Sequence, residues 1–131
     1  MSRWRADDRG EVTATVVMVP VVLLAVLLVV QFALAFHARQ VLAGAVQDGA
    51  AAATRLGASP SNGESLARQL IDASAGTLLD GTTVTADDNG TTVTVEASGR
   101  VVSLLPFVKP ITVRASATAK HETFDPQGRR P

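Results

Sequence analysis

The sequence predicts an α+β protein in which a single N-terminal transmembrane helix continues into a long outer helix, followed by a short helix and a three-stranded antiparallel sheet. Three observations support this prediction. Residues 12–36 contain no charged residue, and the Ala-rich stretch that follows contains no Pro before residue 60. From residue 82 onward, apolar and polar residues alternate with the period of two that is typical of strands.

The apolar run is long enough to cross a membrane. Its 25 residues, from Val12 to Phe36, would form a helix of about 37 Å, against about 30 Å of hydrocarbon. A cleaved signal peptide is the alternative, but its apolar core would span only about 7 to 15 residues. The small-x-small tripeptide at 33–35 lies inside the run. We therefore interpret the run as an uncleaved signal anchor.

The distribution of positive charge predicts the orientation. Arg3, Arg5 and Arg9 precede the apolar run, whereas only Arg39 and Arg55 follow it within about 20 residues. Because Lys and Arg accumulate on the cytoplasmic side, we expect a single-pass cell-membrane protein with a cytoplasmic N-terminus. The domain prediction is a cytoplasmic tail (1–11), a transmembrane helix (12–37), a helix extension (38–57), an extracytoplasmic α+β domain (58–122, the outer domain) and a disordered tail (123–131).

The helix extension carries one stripe of apolar and small residues. Such spacing, in steps of three and four, indicates a helix face that packs on something. The residues are Val41, Leu42, Ala45, Gly49, Ala52, Ala53 and Leu56. Small residues would let another helix approach closely, so a neighbouring subunit is one candidate. The chain's own outer domain is the other, and both remain open.

A short second helix is predicted after the break at residues 57–60. Ser59 with Pro60 at the first position gives one helix start, and Ser61 with Glu64 has capping-box spacing and gives another. Gly76 is the predicted stop, in the left-handed conformation. The expected buried positions are Leu66, Leu70, Ile71 and Ala73.

Two alternating runs flank Asn89-Gly90, which is a strong signal for a two-residue hairpin turn. This turn would pair Asp88 with Thr91, Ala86 with Val93 and Val84 with Val95, and would place the apolar residues on one face. A third alternating strand begins at Ile111. Between the second and third strands lies the apolar loop, residues 102–110. We favour its tucking under the sheet over contact with a partner or the bilayer surface.

Composition argues against several classes of function. From Ala38 onward, nine Lys or Arg balance nine Asp or Glu, so this part of the chain has no excess of positive charge with which to bind nucleic acid. The chain contains no Cys, and neither His37 nor His121 has a carboxylate or a second His at ligand spacing. Asp88 is explained by the hairpin. We therefore expect no enzymatic activity, no metal or other cofactor, and no small-molecule substrate.

The plan of the chain resembles a type IV pilin, and more closely the TadE-like proteins of tight-adherence (Flp-type) pilus systems. The residues that carry the likeness are DRGEVTATVVMVPVVLLAVLLVVQFALAFHARQVLAGAVQDGAAAA and, near the C-terminus, LLPFVKPITVRASATAKHE. The resemblance implies a membrane-anchored, minor pilin-like (pseudopilin) structural subunit of the pilus assembly system. Its implied partners are other pilin-like single-span subunits, pilus assembly membrane proteins and the lipid bilayer.

One position departs from the pilin pattern. Gly10 and Glu11 form a possible processing site, but the fifth residue after the processing Gly in pilin-like proteins is typically Glu, and here it is Thr15. A tail joined to the first turn of a helix explains Gly10 and Glu11 equally simply, because a carboxylate suits the positive end of the helix dipole. Both interpretations remain open.

Two features of the helix point to assembly. Pro20 removes a helical hydrogen bond and permits a kink. Membrane helices also tolerate a Pro whose kink has no function, so both interpretations remain open. Gln31 has several hydrogen-bonding sites to satisfy inside the span. The predicted helix-association face consists of Gln31, Ala45, Gly49 and Ala53. The alternative function is a single-span accessory or signalling protein whose outer domain binds a ligand or partner.

The predicted topology can be tested with single cysteines in this Cys-free chain. Ser2→Cys should be shielded from an impermeant thiol reagent in intact cells, whereas Asn89→Cys should react once the outer face is accessible. Lysed cells, in which both sites should react, provide the control. Equal labelling of both sites from the same side would contradict a spanning anchor.

Overall fold

A computed structural model describes residues 2–55 and 57–122, with side chains from Gly10 onward. The elements are α1 (Ser2–Ala53), α2 (Pro60–Ala75), β1 (Leu79–Asp88), β2 (Thr92–Val101) and β3 (Ile111–Lys120). The strands form one antiparallel sheet in the order β1-β2-β3. The predicted α+β fold is confirmed. Leu56 and the tail 123–131 lie outside the described residues.

The predicted continuous rod is present, because α1 runs unbroken for 52 residues. It begins at Ser2, well before the apolar run, and Pro20 lies inside it. Pro20 has no N–H to donate to the carbonyl of Val16, yet the residues on both sides stay helical. Thr15 donates from Oγ1 to the carbonyl of Glu11 at 2.9 Å, so its hydroxyl is satisfied within the helix.

The C-terminal third of α1, from Ala35 to Ala53, belongs to the hydrophobic core of the outer domain. Ala38, Leu42 and Val46 are completely buried and cluster with residues of α2 and of one face of the sheet. The remaining buried members of this core include Ala67, Ile71, Val84, Val93, Val95, Val101 and Val113. The helix extension and the outer domain therefore share one core, and α1 is the element on which the sheet packs.

The two helices approach each other most closely at a pair of glycines. A Cβ atom on Gly49 would lie 2.6 Å from the carbonyl oxygen of Gly63 and 3.1 Å from the Cβ of Ala67. A Cβ atom on Gly63 would in turn clash with the carbonyl oxygen of Gly49 and the Cβ of Ala53. Only residues without a side chain permit this backbone contact between α1 and α2.

The second helix begins at the first of its two predicted starts, but the conformation at its C-terminus differs from the prediction. Ser59 is the N-cap and Pro60 the first helical residue, and the Asn62 side chain accepts a 2.9 Å hydrogen bond from the Ser59 N–H. The prediction of a left-handed Gly76 was wrong, because its φ of −60° is right-handed. The chain continues in tight turns, where the Leu78 N–H donates to the Ala75 carbonyl, and needs no reversal at Gly76. The helix buries its small residues and Ile71 against α1, which leaves Ala73 exposed and Leu66 and Leu70 half-buried.

The hairpin forms where predicted but in a different register. Asp88 pairs with Val93, Ala86 with Val95 and Val84 with Ala97, so each predicted partner is displaced by two residues. Gly90 has a positive φ of 91°, but Asn89 does not, which excludes a type I′ turn. The physical reason is the Asn89 side chain, whose Oδ1 accepts hydrogen bonds from the N–H groups of Thr91 and Thr92 at 3.0 and 2.8 Å. These bonds stabilise a longer loop.

A shift of two residues keeps every side chain on its predicted face. On β2, Val93, Val95 and Ala97 are buried, and the alternation predicted for β3 is also present, with Val113 buried. The third strand lies alongside α1 and ends near its C-terminus, where the Glu122 N–H donates to the Thr54 carbonyl at 3.0 Å. The sheet therefore runs along the last turns of α1, with Ile111 at the end nearer the apolar run.

Two glycines of α1 offer a matched test of the helix contact. Gly49→Ala should lower the free energy of unfolding by about 1–3 kcal/mol, because its Cβ has no space beside Gly63. Gly44→Ala should be neutral or stabilising by up to about 1 kcal/mol, because a Cβ there meets nothing within 4 Å and Ala favours the helix. Denaturant unfolding of the full chain in detergent measures both. Equal stability of the two variants would contradict the close contact.

Candidate membrane surface and its contacts with the outer domain

Between Val12 and Val30, α1 exposes an apolar surface on all sides. Among the described residues, the helix from Gly10 to Ala53 is the one long and apolar enough to cross a membrane, and only 6% of its most apolar 18-residue window is buried. The core helix of a water-soluble protein would have this window covered by other elements. Val16, Leu23 and Phe32 are each 60% exposed or more. This surface is a candidate membrane span, as expected for a membrane protein.

Gln31 is the exception within this surface. Its side chain is only 2% exposed, although its neighbour Phe32 is 66% exposed. The amide nitrogen Nε2 donates to the Val102 carbonyl at 3.1 Å, and Oε1 accepts from the Leu104 N–H at 2.8 Å. The sequence predicted an interhelical contact for this residue. The structure places the contact between α1 and the start of the apolar loop of the same chain.

The other three residues of the predicted helix-association face are buried within the chain. Ala45 is 3% exposed, Ala53 is 1% exposed, and Gly49 lies against Gly63 of α2. In this structure they offer no surface to another subunit, because α2 covers the small-residue stripe. Of the two occupants left open for this stripe, the chain's own domain is the one observed. A surface of α1 that binds another subunit would have to consist of other residues.

The possible processing site lies on an exposed part of the helix. Gly10 and Glu11 are both exposed and helical, and a Cβ atom on Gly10 would meet no atom of the described residues within 4 Å beyond its own stretch of helix backbone. Pro20, the predicted kink position, also lies on the exposed apolar surface. Processing after Gly10 and a functional kink at Pro20 stay predictions.

The apolar loop does not tuck under the sheet as a whole. Leu105 is buried at 4% exposure, but the other large apolar side chains of the loop remain exposed, with Phe107 at 93%. Leu105 is buried but is not a member of the core cluster on which the sheet packs, so the predicted tucking of the loop under the sheet is not observed. The main-chain bonds to Gln31 hold the loop against α1 and direct the remaining apolar side chains outward.

The fold also joins two residues that the sequence treated separately. His121 Nε2 lies 2.8 Å from Asp88 Oδ1, so the end of β3 contacts the hairpin. The His121 hydrogen bond, together with the Gly90 N–H at 2.8 Å, lowers the pKa of Asp88 below its usual value. No sequence spacing indicated this pair, because 33 residues separate its members. His37 is exposed. Among the described side chains, no group of three or more His, Asp or Glu residues forms a metal site.

Comparison with known proteins connects this helix with a family. The model of the TadE-like protein family matches residues 15–51. The match covers most of the exposed apolar surface, Gln31 and much of the part of α1 that enters the core. It confirms the resemblance inferred from the sequence and points to a protein related to tight-adherence pili. No curated protein and no solved structure matches the chain.

The Asp88–His121 contact makes a pH-dependent prediction. Because the pKa of Asp88 is lower in the folded state, its carboxylate stabilises the fold above the unfolded pKa of about 3.9, and this contribution is lost as the pH falls through the folded value. Asp88→Asn should therefore destabilise the protein near pH 6 and have a smaller effect near pH 2. Unfolding of the full chain in detergent at both pH values measures this. An effect of Asp88→Asn that is independent of pH would contradict it.

Proposed function

We propose that this protein is a membrane-anchored, minor pilin-like (pseudopilin) structural subunit of a tight-adherence pilus assembly system. It acts by associating with other pilin-like single-span subunits and assembly proteins within the bilayer, without catalysis. The observation that carries the proposal is the TadE-like segment 15–51, which coincides with a helix that exposes an apolar surface and then becomes the core of a small domain.

The orientation in this proposal follows from the charges at the two ends of the span. Arg3, Arg5 and Arg9 precede it, and the N-terminus is therefore cytoplasmic, with the outer domain on the extracytoplasmic side. A single continuous helix supports a structural role, because any lateral contact made by α1 in the bilayer is transmitted rigidly to the outer domain.

The exposed surface of α1 replaces the small-residue stripe as the proposed association face. Between Val12 and Val30 the helix presents only small or apolar residues besides its threonines, and all of these positions are exposed. Lipid acyl chains can cover such a surface without any protein partner. In a pilin-like subunit, apolar helices of neighbouring subunits replace lipid during assembly, and close packing supplies the attraction.

Cysteine cross-linking in the membrane tests the association. Leu23→Cys, in the exposed part of the span, should form cross-links to other single-span pilin-like subunits made by the same cells. Ala38→Cys is a control, because Ala38 is completely buried inside the chain and should form none. Deleting the protein should abolish pilus-dependent attachment, and the full chain should restore it.

Polar substitutions separate this function from the alternatives. His37→Ala and Glu96→Ala, both at exposed sites, should leave attachment intact because association depends on the apolar helix. If no exposed position of the span cross-links to a pilin-like subunit while one of these polar substitutions abolishes function, the proposal would be wrong. The outer domain would then act by binding a ligand or partner.

A further inference from the structure

The exposed apolar side chains of the outer domain are concentrated in one loop. Among the described residues outside α1, the large apolar residues that are exposed are Val102, Leu104, Phe107 and Val108, with exposures of 45%, 43%, 93% and 41%. All four belong to the apolar loop. The strands, by contrast, direct Thr, Ser, Asp, Glu and Arg side chains to their exposed face. Such a localised apolar patch marks a contact surface.

The hydrogen bonds of Gln31 fix the height of this loop on the membrane helix. The 20 residues from Val12 to Gln31 rise about 30 Å along a helix, which equals the thickness of the hydrocarbon core. The Val102 carbonyl and the Leu104 N–H are bonded directly to the Gln31 side chain. A hydrocarbon core that begins at Val12 therefore ends near Gln31, and this places the loop at the boundary between hydrocarbon and headgroups.

The remainder of the domain extends away from this boundary. Ile111 shares a cleft with Phe32 and Phe36 of α1, and eleven residues further along, just beyond β3, the Glu122 N–H donates to the Thr54 carbonyl at the end of the helix. The sheet thus follows α1 outward, and the apolar loop forms the membrane-facing end of the domain. Phe32 and Phe36, at 66% and 65% exposure, extend the same apolar surface along α1.

The loop's main chain suits an environment with little water. Besides the two bonds to Gln31, the Val102 N–H donates to the Leu78 carbonyl at 2.9 Å. The Ser103 hydroxyl donates to the carbonyls of Leu105 and Val108 and accepts from the Leu105 N–H. Pro106 and Pro110 have no N–H to satisfy. Irregular backbone is tolerated near hydrocarbon only when its polar groups find partners of this kind.

Two arginines border the same region. Arg39 and Arg114 line the cleft that also contains Phe32, Phe36 and Ile111, and both are exposed. A cationic side chain next to an apolar surface is the arrangement found at membrane interfaces, where the stem contacts acyl chains and the head reaches the phosphates. The charge pattern therefore matches a lipid surface better than the apolar surface of another protein.

We propose that the apolar loop is a second membrane contact, which inserts Leu104, Phe107 and Val108 into the adjoining leaflet beside α1. Its occupant is the lipid bilayer, and the surface is continuous with the candidate span. Two points of attachment hold the outer domain upright on the membrane, because tilting α1 away from the loop would withdraw the apolar side chains of the loop from the leaflet. This inference rests on α1 spanning the bilayer, as in the proposed function.

Tryptophan fluorescence in vesicles tests the loop contact. Trp4→Phe removes the single native Trp, and Phe107→Trp, Leu23→Trp and Thr85→Trp are then made one at a time in this background and reconstituted as full chains in phosphatidylcholine–phosphatidylglycerol vesicles. Phe107→Trp should be quenched by lipids brominated on their acyl chains severalfold more strongly than Thr85→Trp, and its emission should shift to the blue. Thr85 is the control, because it lies on the exposed polar face of the sheet.

Leu23→Trp distinguishes failure of this inference from failure of the proposed membrane anchor. If Leu23→Trp is quenched by brominated lipid while Phe107→Trp resembles Thr85→Trp in both lipid and acrylamide quenching, the helix spans and the loop proposal is overturned. Shielding of Phe107→Trp from both quenchers would also overturn it, in favour of a protein partner. If Leu23→Trp is not quenched by lipid, both the anchor and the loop contact are excluded.

Discussion

The whole structure depends on α1 being one continuous helix with two different environments. Between Val12 and Val30 it exposes apolar side chains, while Ala38, Leu42 and Val46 further along are completely buried by the outer domain. The small sheet and the 16-residue α2 have little apolar surface of their own, and they form a core only by packing on α1. The domain therefore cannot be separated from α1 without losing the element that organises it.

Two kinds of contact hold the domain to this helix. Along its C-terminal third, the contact depends on small residues, because the carbonyl of Gly63 occupies the space where Gly49 would carry a side chain. At Gln31, the contact depends on hydrogen bonds, because the Gln31 side-chain amide bonds to the main chain of the apolar loop. Since a buried, unpaired amide would be costly, these bonds fix where the apolar loop meets α1.

Local patterns predicted most elements because each pattern has one physical cause. The alternation of β2 and β3 predicted which side chains face the core, and it survived a register error since a shift of two residues preserves the face. The turn itself could not be predicted from Asn89-Gly90, because hydrogen bonds from the main chain to the Asn89 side chain selected a longer loop. The Asp88–His121 pair was likewise invisible, as it exists only once β3 lies beside β2.

The sequence by itself predicted the candidate span, the orientation signal, the order of the elements and the TadE-like resemblance, because these depend on composition and periodicity along one segment. Tertiary structure decided which partner each surface meets. Ala45, Gly49 and Ala53 would suit a neighbouring subunit or α2 equally well, and only the folded chain shows α2 on them. The Gln31 side chain could form hydrogen bonds with a neighbouring helix. Instead, the chain returns to α1 after β2, and the apolar loop forms these hydrogen bonds. Periodicity identifies a face, whereas the path of the chain determines what covers it.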